Sequence, residues 1–450
     1  MDETIAGILL EFNLDLYRPI LPRQLSLGEV LPPRAGNLVK VITGMRRSGK
    51  SYRLFQEMDA LIAHGVAKDR ICYFNFEDDR LAPVTPETGD RVLETFRYLH
   101  PDDDGEQGIY LFFDELQEME HWGAWLRRIV DTTKATIYVT GSSSKMLSSE
   151  IASEFRGRAI DFELLPYSFA ELVTRDSSPV VRDGQILCSA AEAARYASQF
   201  DEYLECGGFP AAQGLVRPQA ISLLQSYVQR VVARDVVDRH NLARPRIASA
   251  VARRLMGANG RALSLRKIES DLRTVDLGTS RSYLADMLGY FESAYLIFTV
   301  REFSRSLAEA SASLPKVYAI DPGLALANSK AGVNDKGQRL EDAVYLELRR
   351  RHPGARENGI SFRKTRGHGY EIDFAIGDAL DREPVELIQV TESVEDPKTA
   401  ARETRALWEA LAEARLEEGL LIVGNGDDAV YEQDSMRIRQ VPAWKWFLMA

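Results

Sequence analysis

The chain has 450 residues, enough for two to four domains that each bury a core of their own. Its hydrophobic share of 45% and its charged share of 27% are typical of a soluble globular protein. With 56 basic and 67 acidic side chains the net charge is −11, which argues against a surface that binds nucleic acid all over and leaves room for local basic patches.

The cysteines and the first residues indicate a compartment. Cys72, Cys188 and Cys206 are far apart and form no Cys-x-x-Cys pair, so neither disulfides nor a zinc site is expected. Met1 is followed by two acidic residues rather than by the basic and then apolar order of a signal peptide, and no apolar run is long enough to cross a bilayer. We therefore expect a protein of the reducing cytoplasm, with no membrane partner.

The first predicted strand leads into a phosphate-binding loop. An apolar run over residues 38–43 is followed by Gly44-x4-Gly49-Lys50-Ser51 and a helix-forming stretch, which satisfies the full P-loop pattern of an NTPase. The glycines let the loop bend with its N–H groups inward, Lys50 reaches the β- and γ-phosphates, and the Ser51 hydroxyl is placed for Mg²⁺. The alternative is an ordinary strand, turn and helix. The residues predicted to bind the nucleotide are Gly44, Met45, Arg46, Arg47, Ser48, Gly49, Lys50, Ser51 and Tyr52.

Acidic residues follow the next two predicted strands. Residues 70–76 form a strand that ends in an acidic turn, and the apolar run 109–113 ends in Asp114-Glu115. Buried parallel strands have this composition, and ligands gather at their carboxyl ends. We expect the first and third strands to end side by side, with Asp114 holding the Mg²⁺ shell and Glu115 orienting and polarising the attacking water. The alternative is a pair of acids that opens a solvated turn.

The fourth strand and the segment after it offer further catalytic candidates. Residues 136–140 lead into a Gly-Ser-Ser-Ser run in which Ser142 is predicted to touch the γ-phosphate or the attacking water, unless these serines cap the next helix. Arg156 and Arg158 precede the next apolar strand, at 160–165. Each is a candidate arginine finger for the nucleotide of a neighbouring subunit, where a guanidinium neutralises charge on the transferred phosphoryl group, or else part of a surface ion pair.

A basic helical region occupies the middle of the chain. Helices are predicted over residues 190–240, interrupted by a tight Gly-Gly-Phe-Pro loop at 207–210. Residues 230–281 carry 12 Lys or Arg against five Asp or Glu, although the protein as a whole is acidic. This local excess of positive charge favours attraction to phosphate groups.

The order helix, turn, helix and strand over residues 264–301 resembles a winged-helix unit. If this region binds DNA, the contacts would fall within 230–301, with Arg281, Ser282 and Tyr283 at the start of the second helix in the groove. The alternative is a packing module that transmits the nucleotide state, with its arginines on a solvated face.

The last third of the chain resembles the core of the PD-(D/E)xK nuclease superfamily. A predicted amphipathic helix carries Glu341, a predicted hairpin carries Asp373, and the next strand carries Gln389 and Thr391. Threonine stands where the nuclease pattern has a lysine, and glutamine replaces a metal-binding carboxylate, so Mg²⁺ would bind weakly. We expect a nuclease-like α/β fold without nuclease activity, and the alternative is an active nuclease that ATP licenses.

Over nearly its whole length the chain resembles the predicted AAA+-superfamily ATPases of bacteria and archaea that carry an uncharacterised C-terminal domain. The matching segments are residues 43–51 with their double arginine, 113–117, 140–144, 156–158, 207–210, 316–321 and 338–341. The resemblance implies ATP at Gly44 to Ser51, Mg²⁺ through Ser51 and Asp114, and hydrolysis assisted by Glu115. By analogy with an oligomeric superfamily it also implies a homo-oligomer.

The sequence thus predicts an α/β protein of three domains. These are a P-loop ATPase core with a parallel sheet flanked by helices (1–170), a helical and winged-helix domain (171–325) and a nuclease-like α/β domain (326–450). The predicted activity is Mg²⁺-dependent ATP hydrolysis coupled to a C-terminal module that contacts a protein partner. Two alternatives stay open: a nucleotide-switched DNA-binding regulator or scaffold with slow turnover, and an ATP-licensed nuclease.

Overall fold

The computed structural model describes residues 2–101, 107–142, 157–175, 179–182, 185–303, 313–329, 335–355, 359–377 and 383–449. The chain divides into two compact units, Met1–Leu165 with Ser293–Tyr295, and Pro166–Glu292 with Leu296–Ala450. Across the described ranges, no helix combines the length and the apolar character that a membrane crossing needs.

The first unit is built on a parallel sheet. Its strands are β1 (Val39–Thr43), β2 (Ile71–Asn75), β3 (Ile109–Asp114), β4 (Ala135–Gly141) and β5 (Ala159–Glu163). Its α-helices are α1 (Glu3–Glu11), α2 (Lys50–Ala63), α3 (Pro86–Leu99) and α4 (Trp122–Thr132). The five strands are parallel and lie in the order β2-β3-β4-β1-β5. The predicted α/β core, a parallel sheet with flanking helices, is confirmed.

Helices cover both faces of this sheet. Every residue of β1, β3 and β4 is buried. Because alternate residues of a strand point to opposite faces, Val39 and Val41 join a core with α3 and α4, whereas Ile42 joins a core with α2. Burial on both faces is the reason that these strands are continuously apolar in the sequence.

The order of the strands corrects one expectation. β4 pairs with both β1 and β3, so the first and third strands do not end side by side. Parallel strands are joined by long crossovers, and the apolar runs themselves do not determine which strands pair with each other. As a consequence the end of β4, with Thr140, lies between the glycine loop and Asp114.

The second unit begins with a helical region. Its helices are α5 (Phe169–Thr174), α6 (Ala190–Cys206), α7 (Arg217–Val231), α8 (Pro245–Met256), α9 (Leu265–Arg273) and α10 (Arg281–Ser293), with a π-helical segment (Val232–Asp238) after α7. Its short strands are β6 (Val180–Arg182), β7 (Gln185–Leu187), β8 (Arg261–Ala262), β9 (Ile297–Val300) and β10 (Lys316–Ala319). Helix, helix and strand follow one another as α9, α10 and β9, in the predicted order, while their assignment as a winged helix stays a prediction.

A mixed sheet of six strands forms the C-terminal part of the second unit. Its elements are α11 (Pro322–Asn328), α12 (Lys336–Arg351), β11 (Ile360–Lys364), β12 (Glu371–Ile376), β13 (Glu386–Ser393), α13 (Pro397–Ala414), β14 (Glu418–Asn425), β15 (Ala429–Gln433), β16 (Met436–Pro442) and α14 (Ala443–Leu448). The strand order is β11-β12-β13-β14-β16-β15. Strands β11 to β13 pair antiparallel, and β13, β14 and β16 pair parallel. The nuclease-like assignment of this sheet stays a prediction.

The Gly-Gly-Phe-Pro loop is held by a buried aspartate. Asp321 accepts hydrogen bonds from the N–H groups of Gly208 at 2.6 Å and Leu324 at 2.8 Å. A Cβ on Gly207 would lie 2.0 Å from an Asp321 carboxylate oxygen, and one on Gly208 would lie 2.1 Å from the Tyr167 carbonyl oxygen. Both glycines are therefore required by close packing, in addition to the turn itself.

Candidate functional site

The glycine loop over residues 44–51 connects β1 to α2. Gly44 has φ +150°, and a Cβ there would lie 2.2 Å from the Leu164 carbonyl oxygen. Gly49 is the N-cap of α2, with φ 101°. Both positions need a residue without a side chain, which is why the pattern has glycine at each end of the loop.

Lys50 is buried at the start of α2 and turns back over the loop. Its Nζ donates to the carbonyl oxygens of Gly44 at 3.2 Å and Met45 at 3.3 Å. The same Nζ lies 3.3 Å from Glu115 Oε1, and the Lys50 side chain is only 3% exposed. The ammonium is therefore held at the mouth of the loop, facing the acidic pair at the end of β3.

Asp114 is buried among hydroxyl groups. The Tyr73 hydroxyl donates to its Oδ2 at 2.8 Å, the Thr140 hydroxyl donates to its Oδ1, and the Ser51 hydroxyl also bonds to it. Burial and the neighbouring charge of Glu115 raise the pKa of Asp114 above its usual value, and these hydrogen bonds oppose the shift. The structure thus brings Ser51 and Asp114, the two residues predicted to hold Mg²⁺, into direct contact.

Neighbouring side chains keep the carboxyl group of Glu115 ionised. Burial would raise its pKa, but the Lys50 ammonium and a hydrogen bond from the Gln117 amide hold that pKa below its usual value. The Glu115 N–H donates to Thr140 Oγ1 at 2.9 Å, which fixes the backbone where φ is +50°. The carboxylate is therefore ready to accept a hydrogen bond from a water molecule at neutral pH.

Ser142 lies within the same cluster. It is 1% exposed, and its Oγ accepts a hydrogen bond from Gln117 Nε2 at 3.2 Å. Gln117 also donates to Glu115, so one amide connects the predicted base with the predicted serine. The following serines, Ser143 and Ser144, lie outside the described residues, and so does any helix that they would cap.

The two candidate arginine fingers have different outcomes. Arg156 lies outside the described residues. Arg158 pairs with Asp131, and both side chains are about half exposed. The Val39 N–H donates to the Arg158 carbonyl, which sets Arg158 at the amino end of β1, on the order of 15 Å along the sheet from the glycine loop. Arg158 is therefore not brought to the loop of its own chain, and a finger in trans stays a prediction.

The other predicted loop residues differ in exposure. Met45 and Ser48 are buried, and Arg47 is exposed with φ +71°. Tyr52 is 46% exposed, and its ring meets that of Tyr17 edge to face at 6.1 Å. Arg46 reaches out of the loop to Glu77 and Glu118.

Three residues to which the sequence analysis assigned no role contribute contacts to this site. Arg23 donates to the carbonyl oxygens of Ser48 at 3.0 Å and Leu165 at 2.7 Å and so links the glycine loop to the segment after β5. Tyr73 and Thr140 hold Asp114. Thr140 could have been suspected from its position, because it ends the apolar run 136–140 much as Asp114 follows the apolar run 109–113.

The basic helices of the second unit expose some of their charge. Arg266 and Lys267 on α9 and Arg281 at the start of α10 are exposed. Arg281 lies 3.4 Å from Glu269, so part of its charge is balanced. Ser282 is exposed and Tyr283 half-buried at the same helix start.

The predicted nuclease-like residues surround a lysine. Lys316 Nζ on β10 lies 2.9 Å from Glu341, 2.9 Å from Glu371 and 3.3 Å from Asp373. Burial would lower the pKa of Lys316, but the three carboxylates raise it above its usual value. Burial and the charge of Glu341 raise the pKa of Asp373 to about 8. The nuclease-like pattern did not include Lys316, which precedes it, although residues 316–321 are among the segments that carry the family resemblance.

Gln389 is engaged within the same cluster. Its Nε2 donates to Glu403 at 2.8 Å, and its Oε1 accepts from the Asp373 N–H at 3.3 Å. The Val390 N–H donates to Asp373 Oδ2 at 2.9 Å. Over the part of the chain that the structure describes, no group of three or more His, Cys, Asp or Glu side chains is arranged to hold a metal ion.

The parallel sheet, with the glycine loop after β1 and the acidic pair after β3, defines a P-loop NTPase domain. A family model described as an AAA domain matches residues 36–173, and a model for a domain of unknown function matches residues 197–335. The uncharacterized protein MJ1544 of Methanocaldococcus jannaschii is 33% identical over 421 residues, which cover 92% of this chain and 88% of that protein. The chain belongs to the family of MJ1544 and carries an AAA domain, and the predicted AAA-type P-loop domain is confirmed.

Two further comparisons give lower sequence identity. An uncharacterized protein of Haemophilus influenzae is 26% identical over 389 residues, which cover 85% of this chain and 89% of that protein. Among solved structures, the Walker-type ATPase PABY2304 of Pyrococcus abyssi is 14% identical with a TM-score of 0.39, over 64% of this chain and 90% of that one.

Proposed function

We propose that the protein is a cytoplasmic ATPase that binds ATP with Mg²⁺ at residues 44–51 and hydrolyses it. The observation that carries the proposal is the hydrogen bond between the Ser51 hydroxyl and Asp114, beside the ion pair of Lys50 with Glu115. These four side chains have the chemistry that phosphoryl transfer needs: a cation for the phosphates, oxygen ligands for a metal, and a carboxylate for water. The AAA domain match over 36–173 favours ATP as the nucleotide.

Ser51 and Asp114 suit Mg²⁺ because a hydroxyl and a carboxylate are hard oxygen donors. Asp114 is buried, and its immediate partners, Tyr73, Thr140 and Ser51, are all uncharged hydroxyls. A cation beside Ser51 would favour the ionised carboxylate, which burial disfavours. Mg²⁺ held by these two residues would supply positive charge to neutralise the phosphate groups.

Lys50 and Glu115 divide the remaining work. Lys50 exchanges the two loop carbonyls that it now contacts for the phosphate oxygens, which are charged and therefore stronger acceptors. Glu115 orients a water molecule and accepts its proton as the water oxygen bonds to the γ-phosphorus. The bond from that phosphorus to the bridging oxygen breaks, and its electron pair leaves with ADP. Gln117 and Ser142 keep the second oxygen of Glu115 in place.

Phosphate release by variants tests this proposal. We expect Lys50→Ala to lose ATP binding and release, and Glu115→Gln to bind ATP but hydrolyse it at least about 10²-fold more slowly. Lys68→Ala, an exposed lysine of the same unit, should behave like the wild type. Equal release from the wild type, Lys50→Ala and Glu115→Gln would reject the assignment of the site.

We further propose that residues 326–450 form a nuclease-like fold without nuclease activity, which couples the nucleotide state to a protein partner. Two contacts support inactivity: the Lys316 ammonium is engaged by the carboxylates that would otherwise face a metal ion, and the Gln389 amide is bonded to Glu403. Metal-dependent cutting of plasmid DNA that disappears in Asp373→Ala would overturn this proposal.

A nucleotide-switched DNA regulator is the second candidate. It is favoured by the exposed cations Arg266, Lys267 and Arg281. In a gel shift, binding that depends on salt and weakens when these three are neutralised would support it. A gel shift that depends neither on salt nor on these three cations would rule out the DNA-binding regulator.

A further inference from the structure

Arg46 lies in the middle of the glycine loop and reaches two other strands. Its Nη1 lies 2.7 Å from Glu77 Oε1, and its Nη2 lies 3.2 Å from Glu118 Oε1. Glu77 follows β2, and Glu118 ends the short turn after β3. One guanidinium therefore connects the loop with the carboxyl ends of two neighbouring strands.

This environment differs from that of a surface arginine. Arg80 also contacts two carboxylates, those of Glu11 and Asp78, but its side chain is 42% exposed. The Arg46 side chain is only 13% exposed. The guanidinium of Arg46 is thus largely shielded from solvent at the carboxyl ends of the strands, whereas that of Arg80 is open to water.

A short series of contacts leads from Arg46 to the acidic pair. Glu118 Oε1, which Arg46 contacts, also lies 3.5 Å from Gln117 Nε2, and Gln117 donates to Glu115. The Lys50 ammonium contacts the other oxygen of Glu115, with Nζ 3.3 Å from Oε1. The guanidinium and the Lys50 ammonium therefore act on the same carboxylate, the one that faces the mouth of the loop.

We propose that Arg46 is a catalytic residue that leaves Glu77 and Glu118 to contact the γ-phosphate of ATP bound in its own loop. The inference rests on the proposed function, because it needs ATP at residues 44–51. Glu77 and Glu118 are each 35% exposed, so water can solvate them once the arginine leaves. Phosphate oxygens accept from both prongs of a guanidinium, and charge on the transferred phosphoryl group is thereby neutralised without a neighbouring subunit.

Arg46→Ala, Arg46→Lys and the matched control Arg80→Ala test the proposal. For Arg46→Ala we expect the Kd for ADP to stay within about threefold while single-turnover hydrolysis falls by about 10³-fold. It should also lose the tight complex of ADP with aluminium fluoride, which imitates the phosphoryl group in transfer. Arg46→Lys should recover part of both losses, and Arg80→Ala should match the wild type. Unimpaired hydrolysis in Arg46→Ala overturns the proposal, and so does a parallel loss of ADP binding, which would assign Arg46 a structural role.

A mixing experiment separates action in cis from action in trans. Lys50→Ala keeps the arginine but lacks the phosphate lysine, and Arg46→Ala has the opposite defect. We expect no activity from their mixture, whereas restored activity would overturn the contact within one chain. The two failures are distinguishable: a wild type without phosphate release, or a Lys50→Ala variant with full release, rejects the proposed function, and normal release by Arg46→Ala alone rejects only this inference.

Discussion

Replacing Lys316 by methionine is expected to loosen the C-terminal sheet. The change removes the ammonium and keeps an unbranched side chain of similar length. Lys316 is only 5% exposed, and its partners Glu341 and Asp373 are 14% and 12% exposed, so little solvent can replace the lost charge at these two; its third partner, Glu371, is 43% exposed and can be solvated. Leaving buried charges without their partner in this way costs about 3–5 kcal/mol.

The cost depends on pH through Asp373. Its pKa rises from the ordinary 3.8 to about 8 in the folded protein, because of burial and the charge of Glu341. The folded state therefore binds this proton more tightly than the unfolded chain, so stability falls as the pH rises between these two values. Lys316 opposes the shift, and without it Asp373 would bind its proton at still higher pH. We expect the full loss above about pH 8 and a much smaller loss near about pH 5, where a protonated carboxyl needs no counter-charge.

Hydrogen exchange at β12 measures this loss without assuming that all 450 residues unfold in one step. At pH 8 the protection of the β12 amides should fall by about 10²- to 10⁴-fold in Lys316→Met. Lys398→Met, an exposed lysine at the start of α13, is the matched control and should change nothing. Adding Glu341→Gln to Lys316→Met should restore part of the protection. Unchanged protection at pH 8, or an equal loss at both pH values, would refute the reasoning.

Other changes probe single contacts. Thr140→Val keeps the side-chain shape but removes the hydroxyl that donates to Asp114. We expect ATP hydrolysis to fall at least about tenfold and the free energy of unfolding to fall by about 1–3 kcal/mol. An unchanged rate of phosphate release would contradict this prediction. Gly207→Ala sets a Cβ 2.0 Å from an Asp321 carboxylate oxygen at φ +72°. Gly214 has a similar φ of +76°, but a Cβ there would have no atom within 4 Å, so calorimetry should show a much lower Tm for Gly207→Ala than for Gly214→Ala. Equal Tm values would contradict the steric argument. Burial raises the pKa of the Cys72 thiol to about 12, so iodoacetamide at pH 8 should label it only after denaturation, and rapid labelling of the folded protein would contradict its burial.

Much of the first unit could be predicted because its signals are local. The apolar runs at 38–43, 109–113 and 136–140 correspond to β1, β3 and β4 with ends that differ by one residue at most. Each run is apolar because both faces of its strand are buried, and the glycines of the loop are needed where the backbone turns or is closely approached. Apolar runs and glycine positions of this kind can be recognised in a single sequence.

The contacts that complete the site could not be predicted, because they join distant segments. The Tyr73 hydroxyl reaches Asp114 across 41 positions, and the Arg23 guanidinium reaches Leu165 across 142. Thr140 meets Asp114 only because β4 is inserted between β1 and β3. The order of strands in a sheet depends on how crossovers pack, and no periodicity within one strand reports it.

The C-terminal cluster shows that a motif position is a poor guide to which charges a site contains. Thr391 stands where the nuclease pattern has its lysine, and from that alone the cluster would lack an ammonium. Yet β10 brings Lys316 to Glu341 and Asp373, so an ammonium is present, supplied by a strand that precedes both acids. We therefore expect inactivity for two other reasons: the ammonium already has three carboxylate partners, and Gln389 brings no charge with which to attract Mg²⁺. A nuclease at this place would first have to break buried ion pairs. For that reason Lys316→Met tests what holds the sheet together, whereas Asp373→Ala tests whether the cluster cuts DNA.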